Sequence, residues 1–195
     1  FKQLSEAYRK MRNTARFMLG NIGDFNPATD MVAEDQLFEI DRWALKSCNS
    51  LTANVRAAYD NYDFSRAYHA IYNFIDMSNF YMDVIKDRLY CADEHARRCA
   101  QTALYRILVD FTKLVAPILC FTAQEIWSYI PKLEGMQEYV CWERMPEAKS
   151  NEDAAFDAKW AKIIAVRDDV KKVLEQARAD KTIGSSLEAA VTLYC

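Results

Sequence analysis

Glycine and proline are scarce in this sequence, with four residues of each in a chain of 195. A fold with many short strands needs more turn residues than that, so the composition favours long helices. No apolar run reaches the ~18 residues of a membrane-spanning helix, and no segment resembles a signal peptide. We therefore expect a cytoplasmic protein with no membrane partner.

Metal-binding and catalytic motifs are also missing. The only histidines are His69 and His95, and the six cysteines include no C-x-x-C pair, so we expect no metal site in this chain. An apolar fraction of 51% can build a core without disulfides, and we expect reduced, mostly buried thiols. The glycine loops of nucleotide-binding sites and the H-E-x-x-H motif are absent. We expect neither a catalytic residue nor a cofactor here.

Charge is unevenly distributed along the chain, although the formal net charge is only −3. Residues 1–20 carry a local net charge of +4 and residues 159–181 carry +3, whereas residues 21–158 carry −9. The acidic middle would repel a polyanion. A nucleic acid could therefore dock only near the first and last helical stretches.

Apolar residues recur at helical spacing in five stretches. This pattern predicts helices over about 2–19, 34–59, 64–90, 94–129 and 150–181. Pro117 lies inside the fourth and should kink or break it. Asp63 is positioned to cap the third helix, and Ser150 to cap the fifth. Four long helices with short connections favour an antiparallel bundle.

These patterns predict an all-α chain in three parts. We expect an antiparallel helix bundle over residues 1–131, a linker over 132–149, and a truncated junction subdomain over 150–195. That subdomain would hold one further helix and the first strand of a small α+β region. Alternating residues predict short strands at 139–142 and 191–194. The first residue is Phe1, not Met, and the terminal strand has no partner, so we interpret the chain as a piece of a longer protein.

The first helix carries a row of cations beside its apolar face. Its apolar positions recur at helical spacing: Leu4, Tyr8, Met11, Ala15 and Met18. Cations and an amide flank them: Arg9, Lys10, Arg12, Asn13 and Arg16. This set could follow RNA phosphates, it could meet the carboxylates of a protein partner in a helical interaction module, or it could be an ordinary solvated face. Periodicity alone leaves these alternatives open.

Five stretches, in order, resemble the anticodon-binding domain of class I isoleucine–tRNA ligases. They are AYRKMRNTARFMLGNIGDFNP at 7–27, EIDRWAL at 39–45, FYMDVIKDRLY at 80–90, APILCFTAQEIW at 116–127 and IGSSLEAAV at 183–191. Valine and leucine ligases share the bundle and the proline-containing helix. The preference for isoleucine rests on the third and fifth stretches, and a valine or leucine ligase is the alternative.

The resemblance implies that the chain docks the anticodon stem and loop of tRNA(Ile) for a larger enzyme. The parent would be an ATP-dependent ligase, bacterial in type, with upstream catalytic and editing domains and a zinc module further on. The HIGH and KMSKS signatures of its catalytic domain are absent here. The expected partners are tRNA(Ile) and the catalytic and editing domains of the same chain, in a monomer.

The resemblance also selects the residues that would bind tRNA. From the first helix they are Arg9, Lys10, Arg12, Asn13 and Arg16, of which the three arginines would contact phosphates. The stretch FYMDVIKDRLY adds Lys86 and Arg88, although this run could instead pack the bundle. Arg167, Lys171 and Arg178 of the last helix could prolong the cationic track, and snorkelling beside its apolar face is an equal interpretation.

Overall fold

The computed structural model of the chain describes residues 2–149 and 153–194. Within them the chain forms α1 (Lys2–Asn21), α2 (Glu39–Asp60), α3 (Phe64–Tyr90), α4 (Glu94–Val115), α5 (Cys120–Tyr129) and α6 (Ala154–Ala179). Three 3-10 turns lie at Glu34–Gln36, Val140–Trp142 and Ser186–Glu188. The chain divides into two compact units, Phe1–Ser150 and Asn151–Cys195. The predicted all-α class is confirmed.

Helices α2, α3 and α4 pack against one another, and α1 lies against α3, α4 and α5. Three-residue connections, 61–63 and 91–93, join α2 to α3 and α3 to α4, as in an antiparallel bundle. Helix α4 has buried residues on all of its faces, including Ala100, Leu104 and Leu108. It is therefore the centre of the core.

Two aspartates begin helices by satisfying free amides of the first turn. The Asp63 carboxylate accepts a hydrogen bond of 3.0 Å from the Arg66 amide, which confirms the predicted cap of α3. The Asp93 carboxylate accepts one of 2.8 Å from the Ala96 amide at the start of α4. The bounds predicted for the third helix, 64–90, agree with the structure.

The predicted fourth helix is two helices. Helix α4 ends at Val115 and α5 begins at Cys120, with Pro117 between them. Proline has no amide hydrogen to donate to the preceding turn, so the break follows from the residue itself. The prediction of a kink or break is confirmed.

The predicted start of the second helix is wrong. Glu34 and Asp35 belong to a 3-10 turn, and the two residues before α2 are extended. This extended pair buries Leu37, which is 4% exposed, and leaves Phe38 exposed. Tertiary burial therefore delays the helix until Glu39.

The predicted strands are also wrong for the described residues, which contain none. Residues 140–142 form a 3-10 turn, and residues 191–194 have no regular structure. A single extended segment without a neighbour has no partner for its backbone hydrogen bonds. The expected cap Ser150 lies outside the described residues, and the Asp153 carboxylate caps α6 through the Phe156 amide at 2.9 Å.

The segment 132–149 packs on the bundle although it was expected to be a linker. The Trp127 indole donates to the Gln137 carbonyl at 3.0 Å, and the Arg56 guanidinium donates to the Pro146 carbonyl at 3.0 Å. Val140 is buried. These contacts make the segment part of the first unit. Across 2–149 and 153–194, none of the helices combines the length and apolar character that crossing a bilayer requires.

Candidate nucleic-acid interface

Helix α1 presents its cations to solvent because another face of the helix is buried. The buried residues recur at intervals of three and four: Ala7, Met11, Thr14, Ala15 and Met18. The predicted binding residues of this helix are all exposed: Arg9, Lys10, Arg12, Asn13 and Arg16. Leu4 and Tyr8, expected on the core face, are 59% and 40% exposed. The apolar face is thus shorter than predicted.

Three arginines of α1 keep their charge available to a ligand. Arg9 and Arg16 have no ion-pair or hydrogen-bond partner in the part of the chain that the structure describes. The Arg12 Nη2 atom lies 3.7 Å from Glu125 Oε1, and the two side chains are 50% and 57% exposed. Such an exposed, long pair contributes about 0–1 kcal/mol, so little stability is lost if Arg12 turns to a phosphate.

Lys10 is more firmly held than the arginines. Its Nζ donates to the Tyr72 hydroxyl at 2.9 Å and to Asp76 Oδ1 at 3.0 Å, and it lies 4.9 Å from the centre of the Tyr72 ring. The hydrogen bond with Tyr72, and then that with Asp76, raises the pKa of Lys10. Lys10 therefore stays protonated, and the Asp76 carboxylate of α3 partly neutralises its charge.

Lys86 on α3 is exposed and pairs with a neighbour on its own helix. Its Nζ lies 2.7 Å from Asp83 Oδ1, three residues earlier. This hydrogen bond raises the pKa of Lys86. An exposed i,i+3 pair of this kind is weak and can open toward a ligand.

Arg88 is committed to the interior of the bundle. Its Nη1 and Nη2 donate to the two carboxylate oxygens of Asp41 at 2.8 and 2.5 Å, and the Tyr81 hydroxyl donates to the same carboxylate at 2.7 Å. Asp41 is fully buried, Arg88 is 16% exposed, and its guanidinium lies 4.7 Å from the centre of the Phe38 ring. The geometry speaks against Arg88 as a tRNA contact and favours the packing interpretation of its stretch.

We name Asp41, Tyr81 and Arg88 the buried charge cluster. Burial, followed by the charge of Asp41, raises the pKa of Tyr81 well above its usual value. Burial lowers the pKa of Arg88, but the hydrogen bonds and charge of Asp41 outweigh it, and the net change is upward. Sequence reasoning missed Asp41. The available signal was a carboxylate in helical register with the buried residues Ala44 and Cys48.

The predicted cations of α6 lie in the second unit, which is described by itself. Arg167 Nη1 lies 3.0 Å from Asp168 Oδ1, while Lys171 and Arg178 are exposed. Trp160 is the buried residue of this helix among those described, and Ile163 and Val166 are exposed. That these cations extend the track of α1 stays a prediction.

A shallow pocket adjoins the cations of α1. Its volume is about 430 Å³, it opens widely to solvent, and its lining comes from the second half of α1 and the end of α3: Asn13, Arg16, Phe17, Gly20, Asn21 and Tyr90. We name it the α1–Tyr90 pocket. Sequence reasoning missed Tyr90, although the stretch FYMDVIKDRLY ends on it. Asn13 and Arg16 were predicted as contacts and line this pocket together.

In residues 2–149 and 153–194, no three His, Cys, Asp or Glu side chains are placed to hold a metal ion. His95 Nε2 and Cys99 Sγ lie 3.6 Å apart. Burial raises the pKa of the Cys99 thiol, so it stays protonated at neutral pH and is a poor nucleophile. The arrangement of α1 is suited to binding an anion.

Three relatives resemble nearly the whole chain. Isoleucine–tRNA ligase of Bacillus mycoides is 52% identical over 99% of the chain, and that of Caldicellulosiruptor saccharolyticus is 50% identical over 99%. The isoleucine–tRNA ligase of Syntrophotalea carbinolica is 49% identical over 98%. The chain spans only about a fifth of the length of these proteins, 21–22%. The matches include α1.

A family model described as the anticodon-binding domain of tRNA ligase matches residues 41–193. This range contains the buried charge cluster and helices α3 to α6, and it agrees with the resemblance drawn from the five sequence stretches. The chain therefore belongs to the anticodon-binding domain family of tRNA ligases.

Proposed function

We propose that the chain recognises the anticodon stem and loop of tRNA(Ile) within an isoleucine–tRNA ligase. One observation carries the proposal: in a family of anticodon-binding domains, α1 exposes three arginines, of which Arg12 forms only a long, exposed pair and the other two have no ion-pair partner in the described residues. The middle of the sequence is acidic, so a polyanion would be drawn to this helix. The relatives' names support isoleucine as the amino acid.

Binding would place the acceptor end of the tRNA at a distant catalytic site. That site would use ATP and lie in a catalytic domain of the same protein, accompanied by an editing domain and a zinc module. We place this protein in the cytoplasm and expect it to act as a monomer. The present chain would supply orientation and tRNA selectivity, and none of the chemistry.

Arg9, Arg12 and Arg16 would contact phosphates, and Asn13 a ribose or base. Lys10 and Lys86 would add weaker attraction, since Asp76 and Asp83 already hold them. Arg167, Lys171 and Arg178 remain candidates for extending the track. Arg88 is left out because its charge is neutralised by Asp41.

The test is tRNA binding by the full-length protein as a function of salt. Changing Arg9, Arg12 and Arg16 together to Ala should weaken binding and make the slope of log K against log salt shallower by about 2–3, since each phosphate contact contributes ~0.7–0.9. The matched control changes Arg42, Arg66 and Arg144 to Ala. These three are also exposed and lie outside α1.

An unchanged affinity and slope in the α1 variant, or an equal loss in the control variant, would contradict the proposal. A preference of α1 for a matched acidic protein over tRNA would instead support a protein-interaction module. Charging of tRNA(Val) or tRNA(Leu), but not of tRNA(Ile), by the full-length protein would contradict the choice of isoleucine.

A further inference from the structure

Gln101 is a fully buried amide near the start of α4, and both ends of the amide are hydrogen-bonded. Its Nε2 donates to the Asn21 carbonyl at 2.8 Å and to Asp24 Oδ1 at 2.9 Å. Its Oε1 accepts from Arg98 Nη1 at 2.8 Å. Burying an amide is costly unless it is bonded in this way, so its geometry is tightly determined. Gln101 therefore fixes the position of the backbone that it bonds, which is the end of α1.

The end of α1 takes one of its caps from another helix. The last four carbonyls of a helix have no partner within the helix, and Gly20 disfavours the helical conformation at this point. The Asn21 side chain donates to the Phe17 carbonyl at 2.8 Å. Gln101, which is 80 positions further along the chain, satisfies the carbonyl of Asn21 itself. The last turn of α1 is thus held by a contact that only the fold supplies.

Asp24 joins Gln101 to two arginines of α4. Its Oδ2 lies 2.9 Å from Arg97 Nη1 and 3.4 Å from Arg98 Nη1. Burial raises the pKa of Asp24, but the hydrogen bond from Gln101 and the charges of the two arginines outweigh it, and the net change is downward. Asp24 is therefore ionised at neutral pH. We name Asp24, Arg97, Arg98 and Gln101 the α1 anchor.

The α1 anchor holds the end of α1 that carries Arg16. At 1.5 Å per residue, Arg16 lies about 7.5 Å along the helix axis from Asn21, whereas Arg9 lies about 18 Å from it. The first half of α1 has its own contact with α5, since the Tyr8 hydroxyl lies 3.1 Å from Thr122 Oγ1. A displacement of the last turn would therefore move Arg16 and leave Arg9 nearly in place.

We infer that Gln101 is a positioning residue for tRNA binding, because its bond to the last turn of α1 holds Arg16 where it meets a phosphate. This inference rests on the proposed function and deepens it: it assigns a role to a buried residue that acts through Arg16 without touching RNA. An exposed arginine loses side-chain freedom when it binds. Fixing the backbone beneath it removes the further cost of ordering the helix end.

Two uncharged substitutions release the α1 anchor in different ways. Gln101→Met keeps the length of the side chain and removes all three hydrogen bonds. Gln101→Asn keeps an amide but is one methylene too short to reach the Asn21 carbonyl, and it carries the test if the Met variant does not fold. The matched control is Asn49→Leu. The Asn49 amide exchanges two hydrogen bonds of 2.6 Å with the backbone of Lys149, so it anchors a different segment of the bundle.

The experiment measures binding of tRNA(Ile) by the full-length protein at several salt concentrations. Both Gln101 variants should weaken binding about 2- to 30-fold, the range for residues that act on a site without contacting the ligand. They should also make the slope of log K against log salt shallower by up to ~0.7–0.9, the share of one phosphate contact, although neither removes a cation. Asn49→Leu should leave both the affinity and the slope unchanged.

A double-mutant cycle separates positioning from a general loss of stability. Gln101→Met should cost little further affinity in protein that already carries Arg16→Ala, and its full cost in protein that carries Arg9→Ala. Equal losses in the two backgrounds, an unchanged salt slope, or an equal loss in Asn49→Leu would overturn the inference. If the variant of Arg9, Arg12 and Arg16 still loses affinity as expected, the positioning role alone fails. If that variant binds normally, the proposed function fails with it.

Discussion

The α1 arginines and Arg88 carry the same guanidinium group in opposite surroundings. Arg9 and Arg16 are exposed and without partners in the described chain, whereas Arg88 is 16% exposed and held by two hydrogen bonds to Asp41. A buried charge needs a partner to offset its lost hydration, and an exposed one does not. Position on the bundle therefore decides whether an arginine is held by a buried carboxylate or left exposed to solvent.

Lys113 and Glu143 form a second ion pair of the interior type. Their side chains are 16% and 13% exposed, and Nζ lies 2.8 Å from Oε2. Lys113 is also 5.6 Å from the centre of the buried Trp127 ring. The pair ties the segment 132–149 to α4. The bundle thus uses charge inside to fix its parts, while Arg9 and Arg16 of α1 have no ion-pair partner among the residues that the structure describes.

Breaking the buried charge cluster should have the largest effect on stability. Asp41→Ala leaves Arg88 buried without its partner, which should lower the free energy of unfolding by about 3–5 kcal/mol. Urea unfolding followed by circular dichroism measures the change. Asp83→Ala removes an exposed carboxylate from α3 and should cost at most about 1 kcal/mol. Equal losses in the two variants would erase the distinction between interior and surface pairs.

Tyr81→Phe should have the next largest effect. It removes the 2.7 Å hydrogen bond to Asp41 and keeps the ring in the core. A hydrogen bond to a charged group contributes about 1.5–3 kcal/mol, so the unfolding free energy should fall by that amount. Tyr62→Phe is the control, because Tyr62 is 82% exposed. A loss no greater than that of the control would show that Arg88 alone satisfies Asp41.

Acid should weaken the Lys113–Glu143 pair, with a smaller effect. Burial raises the pKa of Glu143, but hydrogen bonds from Lys113 and the Gln137 amide outweigh it, and the pKa lies below its usual 4.5. The unfolded chain therefore binds this proton more readily than the folded one. The stabilisation is complete above about pH 4.5 and is lost as the pH falls through the folded pKa.

Glu143→Gln tests this by unfolding measurements across pH 3–7. The stability difference between the variant and the unchanged chain should be greatest near neutral pH and should shrink below about pH 4.5. Glu147→Gln, at an exposed position nearby, should show no such dependence. A constant difference for Glu143→Gln at all pH values would contradict the assigned charge.

The smallest effects on stability should come from α1. Arg9→Ala, Arg16→Ala and Lys10→Ala should each change the unfolding free energy by less than about 0.5 kcal/mol, as exposed substitutions do. Arg9→Ala and Arg16→Ala should each reduce the salt slope of tRNA binding by about 1. Lys10→Ala should reduce it less, since Asp76 already neutralises part of its charge. A larger reduction of the salt slope for Lys10→Ala than for the two arginine variants would contradict this expectation.

The sequence predicted those features of the fold that depend on side chains close along the chain. The limits of α3, the cap at Asp63 and the break at Pro117 follow from side chains acting on their own backbone. The start of α2 and the turn at Val140–Trp142 did not follow. Burial of Leu37 and Val140 against other elements decided them, and no local pattern records that burial.

For the candidate site, too, the sequence predicted what depends on helical spacing, and the fold decided the rest. Helical spacing identified Arg9, Arg12, Asn13 and Arg16 together, because residues three and four apart share a face. It could not separate them from Arg88, which lies in an equally helical stretch of mixed charge. Only the fold reveals that Arg88 faces Asp41, 47 residues earlier.

The sequence by itself determined the all-α class, the limits of several helices, the segregation of positive charge and the family resemblance. Each depends on residue type and on spacing within a few helical turns. Tertiary structure alone decided which cations are neutralised and which residues of α1 and α3 meet to form the α1–Tyr90 pocket. The physical reason is distance along the chain: Asn13 and Tyr90 line one hollow because two helices pack, and no local preference encodes that meeting.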